Sequence, residues 1–178
     1  KKTAPGTASE PALVVTNEYD VSGKKELKAT KNFTGDWEHE PENGFAFRLT
    51  AVANDDGVIG PMPEGSTNNT KTANATKANG QIANFGEIKY DSEGTYKYTI
   101  QEIVPDDARN EAKTTYGNKG EETGPWVKDG ITYDDTVYSV VVTVEDVNHN
   151  GEYTVTPKYA KKTAPGTASE PALVVTNE

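Results

Sequence analysis

The sequence predicts an all-β protein, an antiparallel β-sandwich carrying two long polar loops. Runs rich in Thr, Val, Tyr and Ile alternate apolar and polar residues and are broken by Gly, Asn and Asp. Helical periodicity is nearly absent. Two stretches, residues 53–79 and 105–130, are so rich in Asn, Thr, Gly, Pro and charge that exposed loops are the natural reading.

Residues 24–33 form the first predicted strand. A period of two puts Leu27, Ala29, Lys31 and Phe33 on one face and Glu26, Lys28, Thr30 and Asn32 on the other. In the second strand, residues 44–52, Phe45, Phe47 and Leu49 point inward by the same rule. Residues 80–90, the turn Asp91-Ser92-Glu93-Gly94 and residues 95–102 read as a hairpin. Its second arm aligns Tyr96, Tyr98, Ile100 and Glu102. Residues 106–113 could wind into a helical turn or two, but no long apolar stripe supports a helix, so 105–130 reads as loop. Residues 131–146 are apolar on both parities around Val140 to Val144, the mark of a single strand central to the core. After a turn at 147–151 and a strand beginning near Glu152, the chain closes with a last strand in which Leu173, Val175 and Asn177 share a face.

Residues 161–178 repeat residues 1–18 letter for letter, KKTAPGTASEPALVVTNE. Identity at both ends marks one period of a tandem array. The expected division is a closing strand and linker of a preceding repeat at 1–18, followed by one module over 19–178. About 160 residues suffice for one domain that hides about 70% of its unfolded surface. A formal charge of −10 across 178 residues argues against nucleic acid or an anionic membrane as partner. No apolar run is long enough to span a bilayer and no charged-then-apolar leader opens the chain, so the expectation is a soluble piece of a longer precursor without membrane insertion. With no cysteine, neither disulfides nor thiolate metal sites are available. Residues 146–151 imitate the start of a calcium loop, but Pro157 stands where that pattern needs a bidentate Glu, which makes a hairpin turn the better reading. His39 and His149 lie on separate polar segments and build neither a triad nor a zinc site. No metal and no cofactor is expected.

Lys31, Glu102 and Asn177 are the three polar residues whose parity puts them on faces that ought to be dry. Singly, each has a plain explanation: a strand Lys usually faces solvent, and a Glu ending a strand can turn outward at the rim. Together they suggest chemistry. Burial pushes a Lys toward the neutral amine, with titration as low as about 5–6, and a Glu toward the protonated acid, as high as about 8–9. A neutral amine beside a carboxamide can attack its carbon while the acid polarises the oxygen and relays protons, releasing ammonia. The product would be a Lys31–Asn177 isopeptide bond, with Glu102 as catalyst. Lys28 and Lys25 are weaker alternatives, the first on the opposite parity and the second further from the core stretch.

The ordered segments ATKNFTG (29–35), GFAFRL (44–49), GQIANFGEIKY (80–90), GTYKYTIQE (94–102), GITYDDTVYSVVVTVED (130–146) and the closing LVVTNE resemble the pilin isopeptide-linkage domains of Gram-positive surface proteins, the modules of T-antigen-type major pilins and repeat adhesins. Val175 departs from that pattern, since Phe is common there, and both loops look longer than usual. The resemblance implies an immunoglobulin-like sandwich, with the family's Lys at Lys31, its acid at Glu102 and its terminal Asn at Asn177. It also implies an extracellular stalk module, anchored to the cell wall through parts of the precursor outside this chain, whose partners are neighbouring repeats. Such a module is no enzyme beyond one turnover on itself. The rival from another class is a ligand-binding adhesin module, its loops 53–79 and 105–130 contacting a host protein or glycan, with Trp37 and Trp126 as natural anchors. Asn17, the counterpart of Asn177 in the first copy, is expected to stay an ordinary carboxamide. Residues 11–17 could enter the closing-strand groove of a neighbouring molecule unless Lys31 and Asn177 are already bonded.

Overall fold

The computed structural model describes residues 22–110, 115–116, 125–161 and 173–177, with the backbone alone at 115, 116, 161, 176 and 177. The leftover strand expected at 1–18 lies outside the described residues. Twelve strands are described in chain order: β1 (Gly23–Phe33), β2 (Phe45–Val52), β3 (Thr70–Ala75), β4 (Ile82–Tyr90), β5 (Gly94–Glu102), β6 (Arg109–Asn110), β7 (Thr115–Tyr116), β8 (Trp126–Lys128), β9 (Ile131–Tyr133), β10 (Val137–Glu145), β11 (Thr154–Lys161) and β12 (Leu173–Asn177). They form a three-stranded sheet ordered β12-β1-β4, a five-stranded sheet ordered β11-β10-β5-β2-β3, and a small sheet ordered β7-β6-β8-β9.

The first two sheets are the sandwich, and alternation along their strands builds its interior. Leu27, Ala29 and Phe33 from β1 and Ala83, Phe85, Ile88 and Tyr90 from β4 are buried, as are Phe45, Phe47 and Leu49 from β2, Tyr98 and Ile100 from β5, and Val140, Val142 and Val144 from β10. In β4 the buried parity changes along the strand, from Ala83 and Phe85 to Ile88 and Tyr90. A bulge makes the change: Asn84 pairs with Lys28 and Glu87 with Glu26, leaving Phe85 and Gly86 opposite Leu27 alone. Gly86 takes the left-handed φ of 97° that the bulge requires.

Four expectations are corrected. Residues 80–102 are not a hairpin, because β4 pairs with β1 whereas β5 pairs with β2 and β10. The segment 91–93 arches from one sheet to the other, which lets the rings of Tyr90 and Tyr96 pack 5.2 Å apart. The run 131–146 is two strands in two sheets, separated at Asp134, whose carboxylate accepts from the Thr136 backbone N–H at 2.9 Å. The polar stretch 53–79 is not all loop. Asn68 and Asn69 both take left-handed φ, the signature of a two-residue hairpin turn, and β3 then lies on β2 as the sheet's edge. Within 105–130, β6 and β8 pair with each other, and β7 and β9 flank them, so part of the second predicted loop is a sheet.

The last strand is the exception to the antiparallel rule. β12 runs parallel to β1, with Ala29 opposite Leu173, Lys31 opposite Val175 and Phe33 opposite Asn177. First and last strands of the module therefore lie side by side and point the same way.

Candidate functional site

Two ionisable side chains meet in the middle of the sandwich. Lys31, on the central strand of the three-stranded sheet, is 0% exposed, and Glu102, at the end of β5 in the facing sheet, is 1% exposed. Their parity leaves no other direction: Lys31 follows Leu27 and Ala29 on the dry face of β1, and Glu102 follows Tyr98 and Ile100 on that of β5. The Lys31 ammonium donates to both carboxylate oxygens, at 2.8 Å to Oε1 and 2.9 Å to Oε2. No sequence proximity brings them together, since 71 positions separate them.

Aromatic rings enclose the pair. Lys31 Nζ stands 4.5 Å from the centroid of the Phe45 ring and 5.8 Å from that of Phe47. Phe45 packs in turn against Phe33, Trp37 and Tyr133, with centroids 5.2–6.1 Å apart. Such rings screen the ions poorly. Burial pushes the Lys31 amine below its ordinary pKa, opposed by the charge and hydrogen bonds of Glu102 and by the charge of Asp134. The Tyr133 hydroxyl is raised to about 12 by burial and by the Glu102 charge.

The small sheet and the turn after it fasten the Glu102 end. The Asp134 backbone N–H donates to Glu102 Oε2 at 3.2 Å. The Asp134 carboxylate is itself held by the Tyr138 hydroxyl at 2.8 Å. Next to it, Asp135 accepts from Trp126 Nε1 at 2.8 Å, and its carbonyl accepts from Gln101 Nε2 at 3.0 Å. The break Asp134-Asp135 that divides the expected long strand thus serves to hold the acid. Sequence reasoning missed these residues. The paired aspartates inside an apolar run were the signal, and a strand reading absorbed them.

Asn177 is reached by its backbone. It closes the register between β12 and β1, opposite Phe33 and two positions beyond the Val175 that faces Lys31. Its side chain lies outside the described residues. The alternatives Lys25 and Lys28 are both exposed, and Lys28 pairs with Glu26 at the surface. Trp126, offered above as a ligand-binding anchor, is 0% exposed and cannot present its ring to a partner. Trp37 is half-buried against Phe33 and Phe45. Among the described residues no cluster of three or more His, Cys, Asp or Glu side chains is arranged to hold a metal ion, and no helix is long and apolar enough to cross a membrane.

The model of the FctA family, the Spy0128-like isopeptide containing domain, matches residues 27–177. The chain belongs to that family. The matched span of this Spy0128-like domain takes in Lys31 and Glu102 and ends on Asn177. Among solved structures it is similar to the major pilin from Streptococcus pyogenes, at 14% identity over 86% of this chain and 49% of the pilin, with a TM-score of 0.41. It is also similar to an asparagine-to-alanine mutant of that pilin, at 16% identity over the same shares, with a TM-score of 0.38. The chain spans about half the length of these pilin structures. No curated protein matches it.

Proposed function

We propose that the chain is a structural module of a surface stalk or pilus-like protein of a Gram-positive bacterium, locked by an autocatalytic isopeptide bond between Lys31 and Asn177 with Glu102 as the catalytic acid. The buried Lys31–Glu102 pair carries this reading. A salt bridge is a poor choice for holding two sheets together, because desolvating both ions offsets most of their attraction. As a reactive pair the same arrangement makes sense. In a dry site the ammonium can pass its proton to the carboxylate, leaving a neutral amine and a carboxylic acid. The amine nitrogen attacks Cγ of the Asn177 carboxamide, and the acid donates its hydrogen bond to the amide oxygen as charge develops there. Collapse with the proton relayed through Glu102 expels ammonia and leaves a secondary amide, so the reaction needs no cofactor, oxidant or external substrate.

Register supports the partner. Asn177 has the parity of Leu173 and Val175 and is the diagonal neighbour of Lys31, a spacing of about 7–8 Å that a long side chain can bridge. The consequence is mechanical. A pull on both ends of the module would load parallel neighbours β1 and β12 through a covalent link, and the loop so closed spans most of the domain. Residues 1–18 would serve as the closing strand of the preceding repeat, and neighbouring repeats would be the natural partners.

Intact mass of the denatured chain tests the bond. The expected result is a deficit of one ammonia in the wild type and full sequence mass in Lys31→Ala and Glu102→Ala. A wild-type chain at full sequence mass would overturn the reading.

A further inference from the structure

Strand β4 begins one residue after Gln81, and at Gln81 its ladder with β1 is completed by other means. Thr30 pairs with Ile82, so the next antiparallel pair sets Lys31 opposite Gln81. Such a pair normally exchanges two backbone hydrogen bonds. Here the backbone supplies one: the Lys31 N–H donates to the Gln81 carbonyl at 2.7 Å, whereas the Gln81 N–H turns away and donates to the Thr76 carbonyl at 2.8 Å. The side chain supplies the other. With its carboxamide oriented by these neighbours, Gln81 Nε2 donates to the Lys31 carbonyl at 3.2 Å and Gln81 Oε1 accepts from Trp37 Nε1 at 3.3 Å.

This exchange of partners needs an unusual backbone. Gln81 takes a φ of 68°, the left-handed region that a residue with a Cβ enters only at a cost. The turn that delivers it, between β3 of one sheet and β4 of the other, is pinned by Asn79, whose side chain accepts from the Thr76 N–H at 2.8 Å and the Ile82 N–H at 3.3 Å and donates to the Asn74 carbonyl at 2.8 Å. Gln81 therefore holds Lys31 at both main-chain polar groups. Through Trp37 it also holds the rings around the amine, since Trp37 packs edge-on against Phe45 with centroids 5.6 Å apart and Phe45 lies 4.5 Å from Lys31 Nζ.

We propose that Gln81 is a positioning residue for the Lys31 nucleophile, fixing the backbone from which the amine reaches the Asn177 carboxamide. The inference rests on the Lys31–Asn177 reading. The opposite edge of β1 carries β12 and with it Asn177, so any shift of Lys31 relative to β4 changes the gap its amine must close. A displacement of about 1 Å can cost about a hundred-fold in rate. A residue that merely stabilised the sandwich would leave the first-order rate of the folded chain unchanged.

The full chain made by cell-free synthesis, quenched into denaturant at intervals and weighed intact, gives that rate as the loss of one ammonia. Gln81→Glu keeps the shape of the side chain and an oxygen for Trp37, but a carboxylate cannot donate to the Lys31 carbonyl. Gln81→Gly deletes the grip and frees the backbone of strain. Both should form the bond about ten- to a hundred-fold more slowly than the wild type. Gln81→Gly combined with Asn177→Ala should nevertheless unfold at nearly the same denaturant midpoint as Asn177→Ala alone, because relief of the left-handed backbone offsets the lost hydrogen bonds. Taking still unbonded chains to about pH 4, within the ordinary Glu range, should speed Gln81→Glu relative to Gln81→Gly, since protonation restores a donor. Bond formation at the wild-type rate in either variant, or no such recovery, would overturn the positioning role and leave the bond itself standing. If the wild type has full sequence mass, both fall.

Discussion

Strand β1 carries three lysines that pair with carboxylates, and the first and the last could hardly differ more. Lys24, near its start, bridges Glu87 of β4 at 2.9 Å with both side chains more than half exposed. Lys31, seven positions on, bridges Glu102 at 2.8 Å with neither side chain exposed. The distances differ by only 0.1 Å, and the surroundings decide the meaning. Water screens the first pair and solvates it equally well when broken, so it is worth about 0–1 kcal/mol. The second pair has been stripped of water, and apolar residues of the same volume would stabilise the sandwich as well or better. Burial lowers the Lys31 pKa, and on the function proposed above that lowering is what would free the amine to react.

The largest effect should come from removing one member of the dry pair. Lys31→Ala removes the amine of the proposed bond and leaves the Glu102 carboxyl buried without its ammonium. Loop closure alone is worth about 5 kcal/mol for a ring of this length, and an orphaned buried partner costs about 3–5 kcal/mol more. Denaturant unfolding would register this as a large fall in midpoint, and a change no larger than that of Lys24→Ala would break the contrast between the two pairs.

Replacing both members, with Lys31→Met and Glu102→Leu, should sharpen it. The double variant cannot form the bond, yet it leaves no buried charge. It is expected to be at least about 3–5 kcal/mol more stable than Lys31→Ala, the cost of the orphaned carboxyl. Equal stabilities would mean that the orphaned carboxylate had found water and that the site is wetter than its burial indicates.

A pH series separates amine from amide. In Asn177→Ala, Lys31 keeps a folded pKa lowered by burial, while the unfolded chain titrates near the ordinary value of about 10.4. Between those two values the unfolded state binds more protons, so stability must rise with pH, by up to about 1.4 kcal/mol per pH unit. Below the lowered pKa this dependence vanishes. With its nitrogen in the proposed amide, the wild type should lack the slope, and its advantage over Asn177→Ala should shrink as pH climbs. Parallel curves for the two proteins would count against the bond. Smallest of all, Lys24→Ala should change stability by about 1 kcal/mol or less, and by less still in high salt.

Much of the site was legible as parity. Lys31 and Glu102 interrupt otherwise apolar rows, and a period of two is so strict that both rows kept their faces in the fold. The bulge in β4 shows how the same rule can fail, since one extra residue reverses every face beyond it. The arch at 91–93 was not legible. A short polar turn with a glycine looks the same whether the chain folds back within one sheet or crosses to the facing one, and only the partners of β4 and β5 distinguish them. The cover over Glu102 was hidden for a related reason: β6, with two residues, and β8 and β9, with three each, are too short to show a period.

By itself, then, the sequence determined which side chains of β1, β2 and β5 face inward, that the letters of the last strand occur twice, and that an amine and a carboxyl group sit on dry faces, because these follow from local alternation and from identity of letters. Tertiary structure alone decided that β12 lies parallel to β1, that Lys31 and Glu102 come from opposite sheets to meet at hydrogen-bonding distance, and that Asp134 and Trp126 secure the acid's end. Those are long-range pairings, and no local pattern encodes which strand becomes the neighbour of which.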